Sequence, residues 1–163
     1  MMDKKSVLLQ QLTMLHNRDG WFVSFDHAVK GLTSEQASWK TGESTNSIWE
    51  IVNHLRFWNQ RYLNSFKGIV TGKMEGDNDS TFINLDHLNW AETIASVVEI
   101  FREWHNAVKE CEQEKLDSPV PHDSGTTWGQ ALSNLTIHTA YHIGQIVHIR
   151  KTQGSWGPEL GVD

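Results

Sequence analysis

The chain has 163 residues, 38% hydrophobic and 21% charged, which is enough to enclose one hydrophobic core and too polar for a membrane protein. Its formal charge of −6 and its short basic clusters, Lys4-Lys5 and Arg150-Lys151, exclude a grip on nucleic acid through displaced counterions. The apolar run Val7 to Leu9 is too short for a signal sequence, no stretch approaches a membrane span, and Cys111 has no second cysteine to pair with. A single cytoplasmic domain over residues 1–163 is the expectation, with Cys111 as a core thiol.

The first predicted element is a helix over about 4–29. Leu8, Leu12, Leu15, Phe22 and Val29 keep an approximate helical face across an interruption at Gly20. The connection "GLTSEQASWKTGEST" follows, with Thr33 and Gln36 in the spacing of a capping box, where two side chains satisfy each other's free backbone amides.

The same signal at Ser47 and Glu50 opens a second helix over about 47–66. Its predicted face runs Ser47, Ile51, His54, Trp58, Arg61, Ser65. The next connection, "KGIVTGKMEGDNDSTF", is long for an antiparallel hairpin and leaves room for a crossover between parallel helices. A weaker cap at Asn89 and Glu92 precedes a third helix over about 89–116, with Trp90, Ile94, Val97, Phe101, Trp104, Val108 and Cys111 on one side. Pro119 and Pro121 forbid its continuation.

Thr127 and Gln130 cap a fourth helix over about 128–152, whose face reads Trp128, Ala131, Leu135, His138, His142, Gln145, Ile149. No strand alternation and no internal repeat stand out. The fold class is all-α, a four-helix bundle. The tail "GSWGPELGVD" either folds back through Trp156 or is loose.

His138 and His142 stand one turn apart and about 40° around the helix from each other, so both imidazoles can reach one point. His54 occupies a seam position of another helix, at a height that meets theirs if the second and fourth helices are antiparallel. Buried imidazoles need partners for their nitrogens, and three on one interior are hard to explain as packing. His148 falls off this face and reads as surface. Three histidine ligands leave coordination positions open, as catalytic zinc sites do; nickel, iron and manganese also accept imidazole.

In "GLTSEQASWKTGESTNSIWEIVNHLRFWNQRYL" and "TTWGQALSNLTIHTAYHIGQIVHIRK" the chain resembles the DinB-like, YfiT-related family, over roughly residues 5 to 157. The combination of "IVNHL" with "HTAYHIGQI" carries the resemblance. It implies an up-down-down-up bundle and one divalent metal ion, commonly zinc or nickel, on His54, His138 and His142. It further implies a metal-dependent hydrolase acting on a small-molecule substrate through a metal-activated water. The alternatives are an S-transferase using a low-molecular-weight thiol and a non-catalytic, metal-stabilised stress-response bundle. Relatives are often dimers, so a homodimer is compatible with the resemblance, although no residue marks an interface.

Glu50, one turn before His54, is the candidate general base, with the cap of Ser47 as its competing role. Trp58 is a candidate pocket wall and Arg61 a candidate anchor for a substrate carboxylate or a partner for an acidic side chain. Asn134 is a candidate for bonding a ligand ring or lining the pocket, Tyr141 for donating to a substrate or packing between helices, and Gln145 for binding substrate or satisfying a neighbouring polar group. Trp49, Trp90, Trp104 and Trp128, and Trp58 in its plainer role, read as core and inter-helix packing.

Overall fold

The computed structural model describes residues 3–42, 45–121 and 123–161. Residues 43, 44 and 122, within two expected connections, and the last two residues of the expected tail lie outside the described residues. The elements in chain order are α1 (Lys4–His16), α2 (Phe25–Val29), α3 (Ser34–Ser38), α4 (Ile48–Phe66), α5 (Trp90–Glu110), α6 (Gln113–Asp117), β1 (Pro119–Val120), β2 (Asp123–Thr127) and α7 (Trp128–Gln153). Two short 3-10 turns, Asp79–Phe82 and Pro158–Leu160, complete the set.

The four long helices α1, α4, α5 and α7 form the bundle. Each of α1 and α7 packs on the other, α4 and α5 pack together, and the square closes through α1 on α5 and α4 on α7. The core fixes their directions. One apolar cluster joins Leu15 of α1, Ile48 to Leu55 of α4, Trp90 and Val97 of α5, and Ile143 and Ile146 of α7. The other joins Leu8 and Leu12, Leu63 and Phe66, Trp104 and Val108, and Trp128 and Leu132. Helices α4 and α5 therefore run from the first cluster to the second, and α1 and α7 run back. This is the up-down-down-up order, and α4 and α7 are antiparallel.

All four capping boxes form, at Thr33 with Gln36, Ser47 with Glu50, Asn89 with Glu92 and Thr127 with Gln130. Each supplies side-chain oxygens that accept from amides the first helical turn leaves without partners. Trp90 and Trp104 are buried with their indole N–H groups donating to the carbonyls of Leu32 and Asn59.

The predicted first helix is too long. It stops at His16, and the chain reverses because the Asp19 carboxylate accepts from both the amide and the hydroxyl of Ser24 at 2.8 Å, setting up the start of α2. Val23, Phe25 and Ala28 then enter the core, while Phe22 is only half-buried. The third helix also ends early, at Glu110. Cys111 turns extended at ψ 153, its thiol donates to the Val108 carbonyl at 3.3 Å, and it is half-buried against the second cluster, so it sits at the edge of the core rather than within it as expected. The sequence shows no strand pattern, yet β1 and β2 form a small antiparallel hairpin between α6 and α7.

The core-facing row of α4 is rotated from the predicted one. Val52, Leu55, Asn59, Leu63 and Phe66 are buried, whereas Trp58, Arg61 and Ser65 are half-buried and face a cleft. The tail folds back: Arg150 lies over the Trp156 ring at 5.0 Å, and Trp156 stacks on His27.

Candidate metal centre and adjoining cleft

The antiparallel course of α4 and α7 brings His54 to the level of His138 and His142. The Nε2 atom of His138 lies 3.1 Å from that of His54 and 3.0 Å from that of His142. His54 and His142 are buried and His138 is half-buried. Burial, with the two neighbouring imidazoles, pushes the pKa of His54 down to about 3. Burial also lowers that of His138, with His142 adding to it, and lowers that of His142 against an opposing bond from Gln145. All three rings are neutral at pH 7.

The outer nitrogens fix which way the lone pairs point. The Thr81 hydroxyl donates to the Asn78 carbonyl at 2.6 Å, so its oxygen accepts the Nδ1–H of His54, also at 2.6 Å. The amide nitrogen of Gln145 donates to the Tyr141 hydroxyl at 3.0 Å, which leaves Oε1 to accept the Nδ1–H of His142 at 2.7 Å. In a neutral imidazole one nitrogen carries the proton and the other the lone pair. Both Nε2 lone pairs are therefore turned toward His138.

His138 has at most one Nε2 proton to offer. Wherever that proton sits, at least one lone pair in the cluster is left at about hydrogen-bond distance from a nitrogen that offers it no proton. A cation held among the three nitrogens would remove the conflict. The spacing suits one, because metal–nitrogen bonds of ~2.0–2.1 Å in a tetrahedron put ligand nitrogens ~3.3 Å apart. Among the described residues this is the one cluster of histidine, cysteine or acidic groups with metal-ligand spacing.

Three residues of the site escape the helical reading. Thr81, Asn78 and Phe82 lie on the long connection between α4 and α5, where no periodicity marks them. Phe82 stacks on the His54 ring at 4.1 Å between centroids, and its carbonyl accepts from Asn53. The one local signal is the turn chemistry of "GDNDSTF", in which Asp77 accepts from the Ser80 amide.

Beside the histidines lies a cleft of about 650 Å³ between α4, α7 and the hairpin. His138 reaches it, and Trp58, Arg61, Asn134, Leu135 and Ala131 line it. Such a volume holds a small organic molecule. Trp58 donates through its indole N–H to Asn78 at 3.3 Å, and Arg61 donates to the Gly72 carbonyl at 2.8 Å rather than pairing with an acidic side chain.

The remaining candidates sort by contact. Gln145 orients a ring, Tyr141 is exposed and supports Gln145, and His148 is exposed and outside the cluster. Glu50 has both oxygens occupied: one accepts from the Ser47 amide at 2.7 Å and the other from Lys40 Nζ at 2.6 Å. The cap, not the general base, describes its contacts.

The sequence model described as the DinB superfamily matches residues 23–146. The chain belongs to the DinB superfamily. No curated protein matches this DinB chain in sequence. Among solved structures it is similar to YfiT from Bacillus subtilis at 16% identity and a TM-score of 0.69, over 94% of this chain and 89% of that one. YfiT is described as "a probable metal-dependent hydrolase with an unusual four-helix bundle topology". The shared fold agrees with the helix directions of this DinB protein, whose described residues contain no helix long and apolar enough to cross a membrane.

Proposed function

We propose that this DinB protein is a metal-dependent hydrolase of a small molecule, with His54, His138 and His142 holding one divalent ion through Nε2. The observation that carries this reading is the convergence of three neutral imidazoles whose lone pairs cannot all be met by protons. The description of YfiT as a hydrolase points the same way. Neutral imidazole donors suit zinc or nickel. A divalent ion bound there supplies Lewis acidity to water or to a substrate oxygen.

The protein's own groups prepare the site. Thr81 and Gln145 hold two rings in the tautomer that presents Nε2 inward, and Phe82 fixes the plane of the His54 ring. The cleft delivers substrate to the side where His138 is half-exposed, and no carboxylate or thiol among the described residues closes the set. Hydrolysis adds water across one substrate bond, one fragment taking the hydroxyl and the other the proton.

Metal analysis of gently purified protein, alongside His138→Ala, tests the reading. The expected result is a near-stoichiometric ion in the native chain that the variant loses, with hydrolysis abolished by chelation and restored by the same metal. A native chain that takes up no zinc, nickel, iron or manganese overturns it.

A further inference from the structure

Arg61 follows His54 by seven residues, which places it on the same face of α4 and ~10 Å further along the axis. Because α7 runs antiparallel, the opposite wall passes from His138 through Asn134 to Ala131 over the same distance. The side chain of Ala131 leaves space in front of Arg61, and Trp58 lies between Arg61 and the histidines. The cleft is thus a slot with imidazoles near one end, an aromatic wall in the middle and a guanidinium beyond it.

Among the described residues that line this cleft, Arg61 is the one lysine or arginine. It spends one donor on the Gly72 carbonyl and has no carboxylate partner among the described residues. The acid on the cleft, Asp123, closes its own turn by accepting from the Gly125 amide. Asn134, one turn from His138, has no side-chain hydrogen-bond partner among the described residues and faces the same space. A charged fork with spare donors in a concave site is what a planar anion needs.

The geometry points to a substrate that ends in a carboxylate: Arg61 anchors the carboxylate, an apolar body lies along Trp58, and the bond to be cleaved sits beside His138, about 10 Å from the anion. This substrate class deepens the hydrolase reading and rests on it. A carboxylate fits better than a phosphate monoester, whose roughly two negative charges and three oxygens need more than one guanidinium.

Suberic acid monohydroxamate and its methyl ester are matched probes, since each carries a metal-seeking head and they differ only at the far end, where the ester replaces the charge with a methyl group. Calorimetric titration of the full chain, once loaded with zinc and once stripped by chelator, reads the two ends of the slot separately. The zinc-loaded native protein is expected to bind the acid about tenfold or more tightly than the ester, from the charge-assisted bonds at Arg61. Arg61→Gln should bring the acid down to the ester and leave the ester unchanged; Arg61→Lys should keep part of the preference. Equal affinities in the native chain, or no binding of the acid at millimolar concentration, overturn the anchor. If zinc strengthens neither probe while the acid is still preferred, the metal reading fails and the anchor stands.

Discussion

The Nδ1–H of His54 meets the hydroxyl oxygen of Thr81 at 2.6 Å, across 27 residues of sequence, and the same hydroxyl donates to the Asn78 carbonyl. The connection between α4 and α5 therefore sets the tautomer of a ring on α4. Thr81→Val keeps the shape and removes the acceptor. Removing such a partner lowers metal affinity about 10- to 100-fold. Competition with a chelator should show that loss for zinc while the circular dichroism spectrum stays native; unchanged affinity would mean that packing against Phe82 alone holds the ring.

The metal-free protein should lose stability on mild acidification. His54 is held at about 3, against an ordinary value of 6.5, and His138 and His142 are also lowered. The unfolded chain then binds more protons than the folded one below about 6.5, so stability rises with pH across this window. The contribution is complete above 6.5 and is lost progressively as pH falls toward 3. Thermal melts of chelator-treated protein should show a falling midpoint between pH 7 and pH 4, and His54→Phe should flatten that slope. A midpoint independent of pH in the native chain would contradict the buried neutral imidazoles.

How far the sequence reveals this molecule follows from what periodicity can carry. His54, His138 and His142 were legible because each lies on a long capped helix, where spacing converts directly into direction. Thr81 was not, because a residue on an irregular connection has no period to place it. Periodicity also left a choice of row on α4. Ser47, Ile51, His54 and Trp58 share one face, and Ile48, Val52, Leu55 and Asn59 share the next, about 100° around the helix. The second row is buried along the length of the helix, whereas the first is buried only as far as His54, beyond which Trp58, Arg61 and Ser65 are half-buried and line the cleft. The over-long first helix has the same origin: Leu15 and Val29 are both buried and both in phase, yet the bonds between Asp19 and Ser24 turn the chain between them.

Arg150 is buried without an acidic partner among the described residues and donates instead to the carbonyls of Ala28, Lys30 and Ser155. Two of these acceptors lie at the end of α2, where helix carbonyls carry partial negative charge. Arg150→Met would keep much of the packing and leave those carbonyls without donors. The expected cost is about 2–4 kcal/mol in denaturant unfolding, since an orphaned buried acceptor costs ~1–3 kcal/mol. Arg150→Lys should recover less than half, because an ammonium cannot span three separated carbonyls as the guanidinium fork does. Full recovery by lysine would show that charge alone stabilises this corner.

Glu50 gives the sharpest contrast between a structural and a chemical role, because it stands one turn from His54 and both of its oxygens are engaged by Ser47 and Lys40. Glu50→Gln keeps an acceptor for the Ser47 amide and gives up the ion pair with Lys40, an exposed contact worth ~0–1 kcal/mol. Glu50→Ala loses the cap as well and should be destabilised by a further ~1 kcal/mol. Neither change should alter metal content, and Glu50→Gln should leave any metal-dependent hydrolysis within a factor of about three. A general base contributes about 10²- to 10⁴-fold to rate. If Glu50→Gln retained its metal and its melting temperature but lost activity by two orders of magnitude or more, the carboxylate would have to leave its cap during turnover, and the assignment of Glu50 to the helix end would fall.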